Sequence, residues 1–132
     1  KIRNIIFLRS LRTLIGVNNV NEFNPLFTEI LVKAKKEVNS YGGNLIFVYL
    51  PSWERYKFKY LNKSQLYQKK KILDEIEKIS LDIIDLDQLY FKSHPDPLSL
   101  FPFRTRGHYT VDGYMEISKT IIDELKKINL KE

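Results

Sequence analysis

One uninterrupted apolar run constrains the fold more than any other feature of this chain. Residues 45–50 read Leu-Ile-Phe-Val-Tyr-Leu, and the run is bounded by Gly42-Gly43 on one side and by Pro51 on the other. A half-exposed strand alternates apolar and polar residues, whereas a strand buried on both faces of a parallel sheet is apolar throughout. The run therefore predicts a buried central strand of a parallel sheet.

The segments around this strand alternate between helical and extended patterns. A helix is expected to start at Asn24-Pro25, where Asn is a good cap and Pro suits the first turn, and to stop at Gly42-Gly43. A second helix is predicted over residues 64–79, a second strand over 81–86, and a last helix after Thr110. This order predicts an α/β fold with right-handed crossovers, and the first strand is expected to pair either with residues 81–85 or with a neighbour that this chain does not contain.

Apolar residues at helical spacing predict which side of each helix is buried. In the first of these helices the face comprises Phe27, Ile30, Leu31, Ala34, Val38 and Tyr41. In the second it comprises Leu66, Leu73, Ile76 and Ile79. In the last it comprises Tyr114, Ile117, Ile121, Leu125 and Ile128, and Met115 and Ile122 widen it.

The beginning of the chain predicts an amphipathic helix within residues 1–20, with its apolar pattern over 2–15. It either packs on its own domain or lies on a membrane surface, and the early stop at Gly16 favours packing. Residues 19–23 offer at most one further strand, and two strands alone make a poor sheet. We therefore expect residues 1–132 to form a single partial domain, completed by upstream sequence, another chain or a second copy.

Composition narrows the classes of function. The chain has 132 residues, a net charge of +6 and no cysteine, so disulfides and cysteine-based metal sites are excluded. The two histidines are far apart in sequence and make a poor zinc set, and no phosphate-binding loop is present. No metal and no cofactor are therefore predicted. A basic balance of this kind more often serves solubility than nucleic-acid binding, and the compartment stays open.

The most informative motif is Gly107-His108-Tyr109-Thr110-Val111-Asp112-Gly113-Tyr114. Thr110 is a good helix cap, and Asp112 suits the positive end of the helix dipole. A packed helix therefore fixes the loop that carries His108, and a titratable ring on a loop held by a rigid scaffold is a common way to build a site.

This motif and two others resemble the C-terminal half of an SGNH (GDSL-type) hydrolase. The strand ending in Pro51 resembles a core strand of that family, and Ile83-Ile84-Asp85-Leu86 resembles the strand before its histidine loop. The resemblance covers roughly residues 25–128 and implies a three-layer, flavodoxin-like sandwich with a parallel sheet, which is incomplete in this chain. It also implies a Ser-His-Asp site with His108 as the general base.

The chain departs from the family in three places, one of which is that the family's oxyanion-hole Gly and Asn blocks are not recognisable. The family's Gly-Asp-Ser motif with the nucleophile is absent, and Thr105 stands where the family has an aspartate three residues before the histidine. Asp96 is the nearest upstream carboxylate. It either accepts a hydrogen bond from the His108 ring, at roughly 2.6–3.2 Å, or simply starts a turn between Pro95 and Pro97.

Further candidates surround the motif. Arg104 and Arg106 either bind a carboxylate or phosphate of a ligand or, as is more common for such residues, lie in solvent or pair with surface acids. Ser52 carries a hydroxyl at the end of a strand but lacks a nucleophile-elbow context, and His94 is expected to be a loop residue. Residues 53–71, with Trp53 and Tyr56, form a lid over an ester site, a nucleic-acid surface, or a loop and helix face whose rings anchor it to the body.

These observations together favour the histidine side of an esterase or O-acyltransferase site. The substrate would be a small-molecule or carbohydrate ester, and the nucleophile would lie outside this chain. The alternatives are a non-catalytic binding module of the same fold and, less favoured, a basic nucleic-acid-binding protein.

Overall fold

A computed structural model describes residues 24–58, 62–105 and 107–129. The predicted helix over 2–15, the optional strand over 19–23 and Arg106 lie outside the described residues. By their internal contacts the residues divide into two compact units. The helical unit comprises, of the described residues, 24–45, 58 and 62–80, and the sheet unit comprises 46–57, 81–105 and 107–129. That residues 1–132 form one partial domain stays a prediction.

The helical unit contains two helices, α1 (Pro25–Ser40) and α3 (Asn62–Lys78). The predicted start of α1 is confirmed, because the Asn24 side chain accepts a hydrogen bond of 3.0 Å from the Leu26 amide. Its predicted stop is also confirmed: Gly42 takes a left-handed φ of 76°, and the Gly43 amide donates to the Val38 carbonyl at 3.1 Å. Glycine adopts this conformation without a steric penalty.

Two side chains of α1 reach the second half of α3. The Thr28 hydroxyl donates to Glu75 at 3.2 Å, and the Lys35 ammonium donates to the carbonyls of Ile79 and Ser80 at 2.8 and 2.9 Å. These carbonyls follow the last turn of α3, where backbone acceptors lack helical partners and a cation is favoured. Ile76 is buried as predicted, whereas Leu66, predicted to face inward, is 50% exposed.

The sheet unit contains the two predicted strands, β1 (Ile46–Tyr49) and β2 (Asp82–Asp85), and the short helix α2 (Glu54–Lys57), which follows β1 in the chain. The two strands pair in parallel, which is one of the two predicted pairings of β1, and the register places Ile46 opposite Asp82 and Tyr49 opposite Asp85. Within the part of the chain that the structure describes, β1 has one neighbour, and its four residues are half-buried rather than fully buried. The α/β prediction therefore holds at the level of mixed helix and parallel sheet.

The core of the sheet unit lies beside this pair of strands. Its buried members are Trp53, Ile84, Leu86, Phe91, Leu100, Phe101 and Ile117. Three short helical segments follow β2: a π-helical turn (Asp87–Phe91) and two 3₁₀ turns (Pro97–Leu100 and Pro102–Arg104). The sequence had suggested only a loop over 94–108, because single turns carry no periodic pattern.

The C-terminal helix α4 (Val111–Asn129) covers this core. Ile117 is buried, and Ile121, Leu125 and Ile128 pack against the core as predicted. The predicted widening of the stripe is wrong, because Met115 and Ile122 are 61% and 51% exposed. Met115 and Ile122 lie two and five positions from Ile117. Residues three or four apart share a face of a helix, so these two side chains lie on a different side from the buried stripe.

Candidate functional site

The loop that carries His108 is tied to the sheet unit on both sides of the ring. The Tyr109 hydroxyl donates a hydrogen bond to the Pro51 carbonyl at the end of β1. The Thr110 amide donates to the Leu100 carbonyl at 2.8 Å, and the Thr110 hydroxyl accepts from the Gly113 amide at 3.0 Å, which confirms the predicted helix cap. His108 itself is exposed. The loop therefore presents an imidazole to solvent from a fixed backbone.

Aromatic packing explains why Tyr109 is a strong anchor. The centroid of its ring lies 4.9 Å from the ring centroid of Phe101 and 5.6 Å from that of Phe91. The Tyr114 ring meets it edge-on at a centroid distance of 5.6 Å. Offset and edge-on pairs at these separations are favourable beyond the area they bury. Burial also raises the pKa of the Tyr109 hydroxyl above its ordinary value, so the group stays a hydrogen-bond donor at neutral pH.

His108 lines a cleft of about 400 Å³ at the carboxyl end of β1. Leu50 and Pro51 form its aliphatic part, and four rings form its aromatic part: Trp53, Phe101, Tyr109 and Tyr114. Its polar side chains are Ser52, Glu54 and His108. The carboxyl ends of parallel strands are where ligand sites form in α/β proteins, and a concave, mostly apolar site with a few polar groups is the usual form of a small-molecule pocket.

The cleft brings together residues that are far apart in sequence. Ser52, exposed just beyond β1, and His108 line the same depression although 56 positions separate them (108 − 52 = 56). Trp53, predicted to bind substrate, also lines it, and its indole N–H donates to the Arg104 carbonyl at 2.8 Å. The parallel pairing of β1 with β2 is what carries the later loop back to the end of β1.

Asp96 has a different partner from the predicted one. Both of its carboxylate oxygens accept hydrogen bonds from the Arg104 guanidinium, at 2.5 and 2.9 Å. Among the described residues no hydrogen bond joins Asp96 to His108. These hydrogen bonds from Arg104 hold the pKa of the Asp96 carboxyl below its usual range. A bidentate arginine satisfies the carboxylate more completely than a single imidazole N–H would.

The same pair changes the expectation for Arg104. This side chain was predicted either to bind a carboxylate or phosphate of a ligand or to pair with a surface acid. The structure shows the second arrangement, because the Arg104 guanidinium pairs with Asp96 of the protein itself. The backbone around it is unusual, since Phe103 and Arg104 take left-handed φ values of 52° and 57° without being glycine. Such residues are strained by about 1–3 kcal/mol each and persist where surrounding contacts hold them. Arg106, the other predicted anion ligand, lies outside the described residues.

Tyr56, the second predicted substrate-binding residue of the segment 53–71, packs inside the sheet unit instead. Its ring stacks on Phe91 at 5.4 Å, and its hydroxyl donates to Asp87 at 2.7 Å. Asp87 also accepts two hydrogen bonds from the buried Arg55, at 2.7 and 2.6 Å. Burial, followed by the hydrogen bond to Asp87, raises the pKa of the Tyr56 hydroxyl. Residues 55 and 56 therefore anchor the segment, as one interpretation of it had predicted.

The sequence missed several residues of this site. Asp87 was not singled out because one aspartate after a strand has no pattern that marks it as an ion-pair partner. Glu54 and Phe101 were missed as cleft residues for the same reason, and Tyr109 belonged to the quoted motif without a role. Tyr114 was predicted to lie in the buried stripe of α4, but it is 46% exposed and lines the cleft. His94 lies in a loop, as predicted, where its Nδ1 atom accepts from the Asp96 amide at 3.1 Å.

The described residues contain neither a cluster suited to a metal ion nor a helix suited to crossing a membrane. Across 24–58, 62–105 and 107–129, no group of three or more His, Asp or Glu side chains is placed to hold a metal ion. In the same part of the chain, no helix is both long and apolar enough to cross a membrane.

Comparison with known proteins adds no relative. No protein-family model matches the chain, no curated protein is significantly similar to it, and no solved structure matches its fold significantly. The site therefore has to be interpreted from its own geometry and from the motifs of the sequence.

Proposed function

We propose that the cleft beside His108 is the histidine side of a carboxylic ester hydrolase or O-acyltransferase site. The observation that carries the proposal is the exposed imidazole of His108, held on a fixed loop in a largely aromatic cleft at the carboxyl end of β1. An imidazole in this setting can take a proton from an attacking hydroxyl and return it to the leaving alcohol.

The fold proposed for the complete domain is the three-layer, flavodoxin-like sandwich of SGNH hydrolases. Support comes from the parallel pair β1 and β2, from the histidine loop between β2 and α4, and from the apolar side chains that α4 leaves exposed. In this proposal a nucleophilic serine and its oxyanion hole come from outside the 132 residues. The substrate would be a small-molecule or carbohydrate ester.

The proposal is tested by His108→Ala in the full-length native protein, assayed with chromogenic acetate and butyrate esters. Loss of a general base typically lowers the rate by roughly 10²–10⁴-fold. The fold should be unchanged, because His108 is exposed and contributes nothing to the core. Wild-type turnover by a folded His108→Ala protein would assign the base to another group.

A second candidate function is a non-catalytic binding module of the same fold. The observation in its favour is that Asp96, the carboxylate predicted to orient the imidazole, is paired with Arg104 instead. A fluorophosphonate probe, which labels activated serines, separates the two functions. Labelling that depends on His108 supports the enzyme, whereas ligand binding without labelling supports the module. Mapping the label also distinguishes a serine elsewhere from Ser52, which shares the cleft with His108.

A further inference from the structure

Phe103 is unusual for a large apolar side chain, because it is 95% exposed. Its backbone also takes a left-handed φ of 52°, which is rare for a bulky residue. An exposed ring adds no buried apolar area to its own domain, and the left-handed conformation costs free energy. The folding of a single chain therefore explains neither feature, and strained conformations of this kind cluster at binding and functional sites.

The turn that carries Phe103 is held by its neighbours. The Arg104 guanidinium forms a bidentate ion pair with Asp96, and the Arg104 carbonyl accepts a hydrogen bond of 2.8 Å from the Trp53 indole. The Arg104 amide donates to the Phe101 carbonyl at 2.9 Å. A side chain on a fixed turn loses little conformational freedom when it binds, which favours Phe103 as the anchor of a contact with another molecule.

An open groove of about 740 Å³, which we call the α4 groove, follows the exposed side of α4. Its apolar and aromatic lining residues are Val111, Tyr114, Met115 and Ile122. Lys119 also lines the groove, and a lysine ammonium is attracted to the face of an aromatic ring. The α4 groove therefore suits an aromatic ring, which buries apolar area on the lining and offers its face to Lys119.

The Phe103 ring does not occupy the α4 groove of its own chain. It is 95% exposed, and the residues that line the groove all lie in α4. Both features nevertheless border the His108 cleft. Tyr114 lines the groove and the cleft, and Trp53, which lines the cleft, donates to the Arg104 carbonyl. Ring and groove are therefore presented on the same part of the sheet unit, where a second copy can meet both.

We propose that the Phe103 ring of one copy of this chain binds in the α4 groove of a second copy. The chain itself supplies the exposed ring and the apolar groove, and their contact removes both from water. Two reciprocal contacts bury roughly 600–1,000 Å², because one aromatic side chain buries roughly 150–250 Å² and the groove loses a similar area. Stable complexes bury about 1,200–2,000 Å², so this pair of copies is weak and reversible. The contact does not depend on the proposed ester chemistry.

Sedimentation velocity of the 132-residue chain at about 0.15 M salt, which screens its net charge of +6, measures the association. Phe103→Asn should raise the dissociation constant about tenfold or more, because it removes the anchor ring. It should leave the thermal unfolding midpoint unchanged or raise it, since asparagine tolerates a left-handed φ better than phenylalanine. Phe103→Tyr keeps an aromatic ring and should retain the association. Unchanged association in Phe103→Asn, or a chain that stays monomeric, overturns the inference.

A spin label shows whether the ring meets the groove. The chain has no cysteine, so Asp123→Cys in the lining of the α4 groove gives a single labelling site. Mixed with the ¹⁵N-labelled wild-type chain, the spin-labelled copy should broaden the amide signals of Phe103 and Arg104. It should not broaden the corresponding signals of ¹⁵N-labelled Phe103→Asn.

Two results of the labelling experiment would contradict the proposed contact. Sharp Phe103 and Arg104 signals in an associating chain would mean that the α4 groove meets another surface of the second copy. In the full-length native protein, sharp signals would mean that the rest of the proposed sandwich covers the groove instead. Either result would overturn the assignment of Phe103 to the groove.

Discussion

Individual charged side chains in this protein differ widely in how far they are removed from water. The side chains of Arg55 and Asp87 are 9% and 6% exposed, and Asp87 also accepts from Tyr56. The side chains of Lys70 and Asp74 form a pair of similar length on α3, but they are 72% and 45% exposed. Only the first pair can leave a buried charge uncompensated when one partner is removed.

Asp87→Asn should therefore lower the free energy of unfolding by about 3–5 kcal/mol, because the Arg55 charge stays buried without its counterion. Urea denaturation followed by circular dichroism measures this difference. Asp74→Asn serves as the control and should leave the denaturation midpoint unchanged, since water screens the exposed pair. Equal effects of the two substitutions would show that the Arg55–Asp87 pair is not the buried anchor described above.

The Asp96–Arg104 pair predicts a response to acid. The pKa of Asp96 is depressed in the folded chain, so its contribution to stability is present above the ordinary aspartate pKa and is lost as the pH falls through the depressed value. Arg104→Gln should return the Asp96 pKa towards its usual range, which carboxyl NMR titration measures. In the wild type the Trp53 indole peak should move over the same acidic range, because Trp53 donates to the Arg104 carbonyl. An indole peak that titrates identically in Arg104→Gln would contradict this coupling.

At the scale of elements, the first turn of α4 is held in place by close approach of backbones. A Cβ atom at Gly113 would stand 2.9 Å from the Leu100 carbonyl oxygen and 3.2 Å from the Thr110 hydroxyl that caps the helix. The Leu100 carbonyl also accepts from the Thr110 amide. Gly113 is therefore required by the close packing of the start of α4 against the 3₁₀ turn that ends at Leu100. This packing sets the path of the His108 loop.

Gly113→Ala should destabilise the protein by about 1–3 kcal/mol, the usual cost of overpacking. The sign of this change in stability is informative, because alanine normally stabilises a helix interior relative to glycine by roughly 1 kcal/mol. Thermal unfolding measures the effect. Ser118→Ala, at an exposed position of the same helix, should be neutral or slightly stabilising. A more stable Gly113→Ala protein would mean that the close contact relaxes freely.

At the scale of the whole molecule, α4 leaves a second apolar strip outside the core. Val111, Met115 and Ile122 are 76%, 61% and 51% exposed, and they recur at helical spacing. Exposed apolar patches of this kind drive association in water. The strip is independent of the cleft except at Tyr114, which borders both.

The 132-residue chain should therefore self-associate as its concentration rises, and Met115→Lys combined with Ile122→Lys should suppress the association. Sedimentation velocity over a range of concentrations measures both results. Gln68→Lys, at an exposed position of α3, adds positive charge without removing apolar surface and should leave association largely in place. A wild-type chain that stays monomeric throughout would show that the strip is too small to drive contact.

Local sequence patterns predict much of the secondary structure, but they predict few of the hydrogen-bond and ion-pair partners of the side chains. The run 45–50 predicted β1, and pairing with β2 was one of its two expected arrangements. The cap at Thr110 and the stripe through Ile128 predicted α4. The partner of Asp96 could not be predicted. It depends on the turns between 97 and 104, where two left-handed residues redirect the chain, and no sequence pattern marks Phe103 or Arg104 for that conformation.

The sequence by itself determined what short-range physics controls: the starts and stops of helices, the apolar strands and the fixed position of His108 before a capped helix. Tertiary structure alone decided which of those pieces meet. It placed Ser52, Trp53 and His108 in one cleft, paired Asp96 with Arg104, and brought the Tyr56 hydroxyl into hydrogen-bond contact with Asp87. The physical reason is that caps and periodicity act over one or two turns, whereas a hydrogen bond or ion pair depends on angstrom-scale distances set by the packing of the whole core.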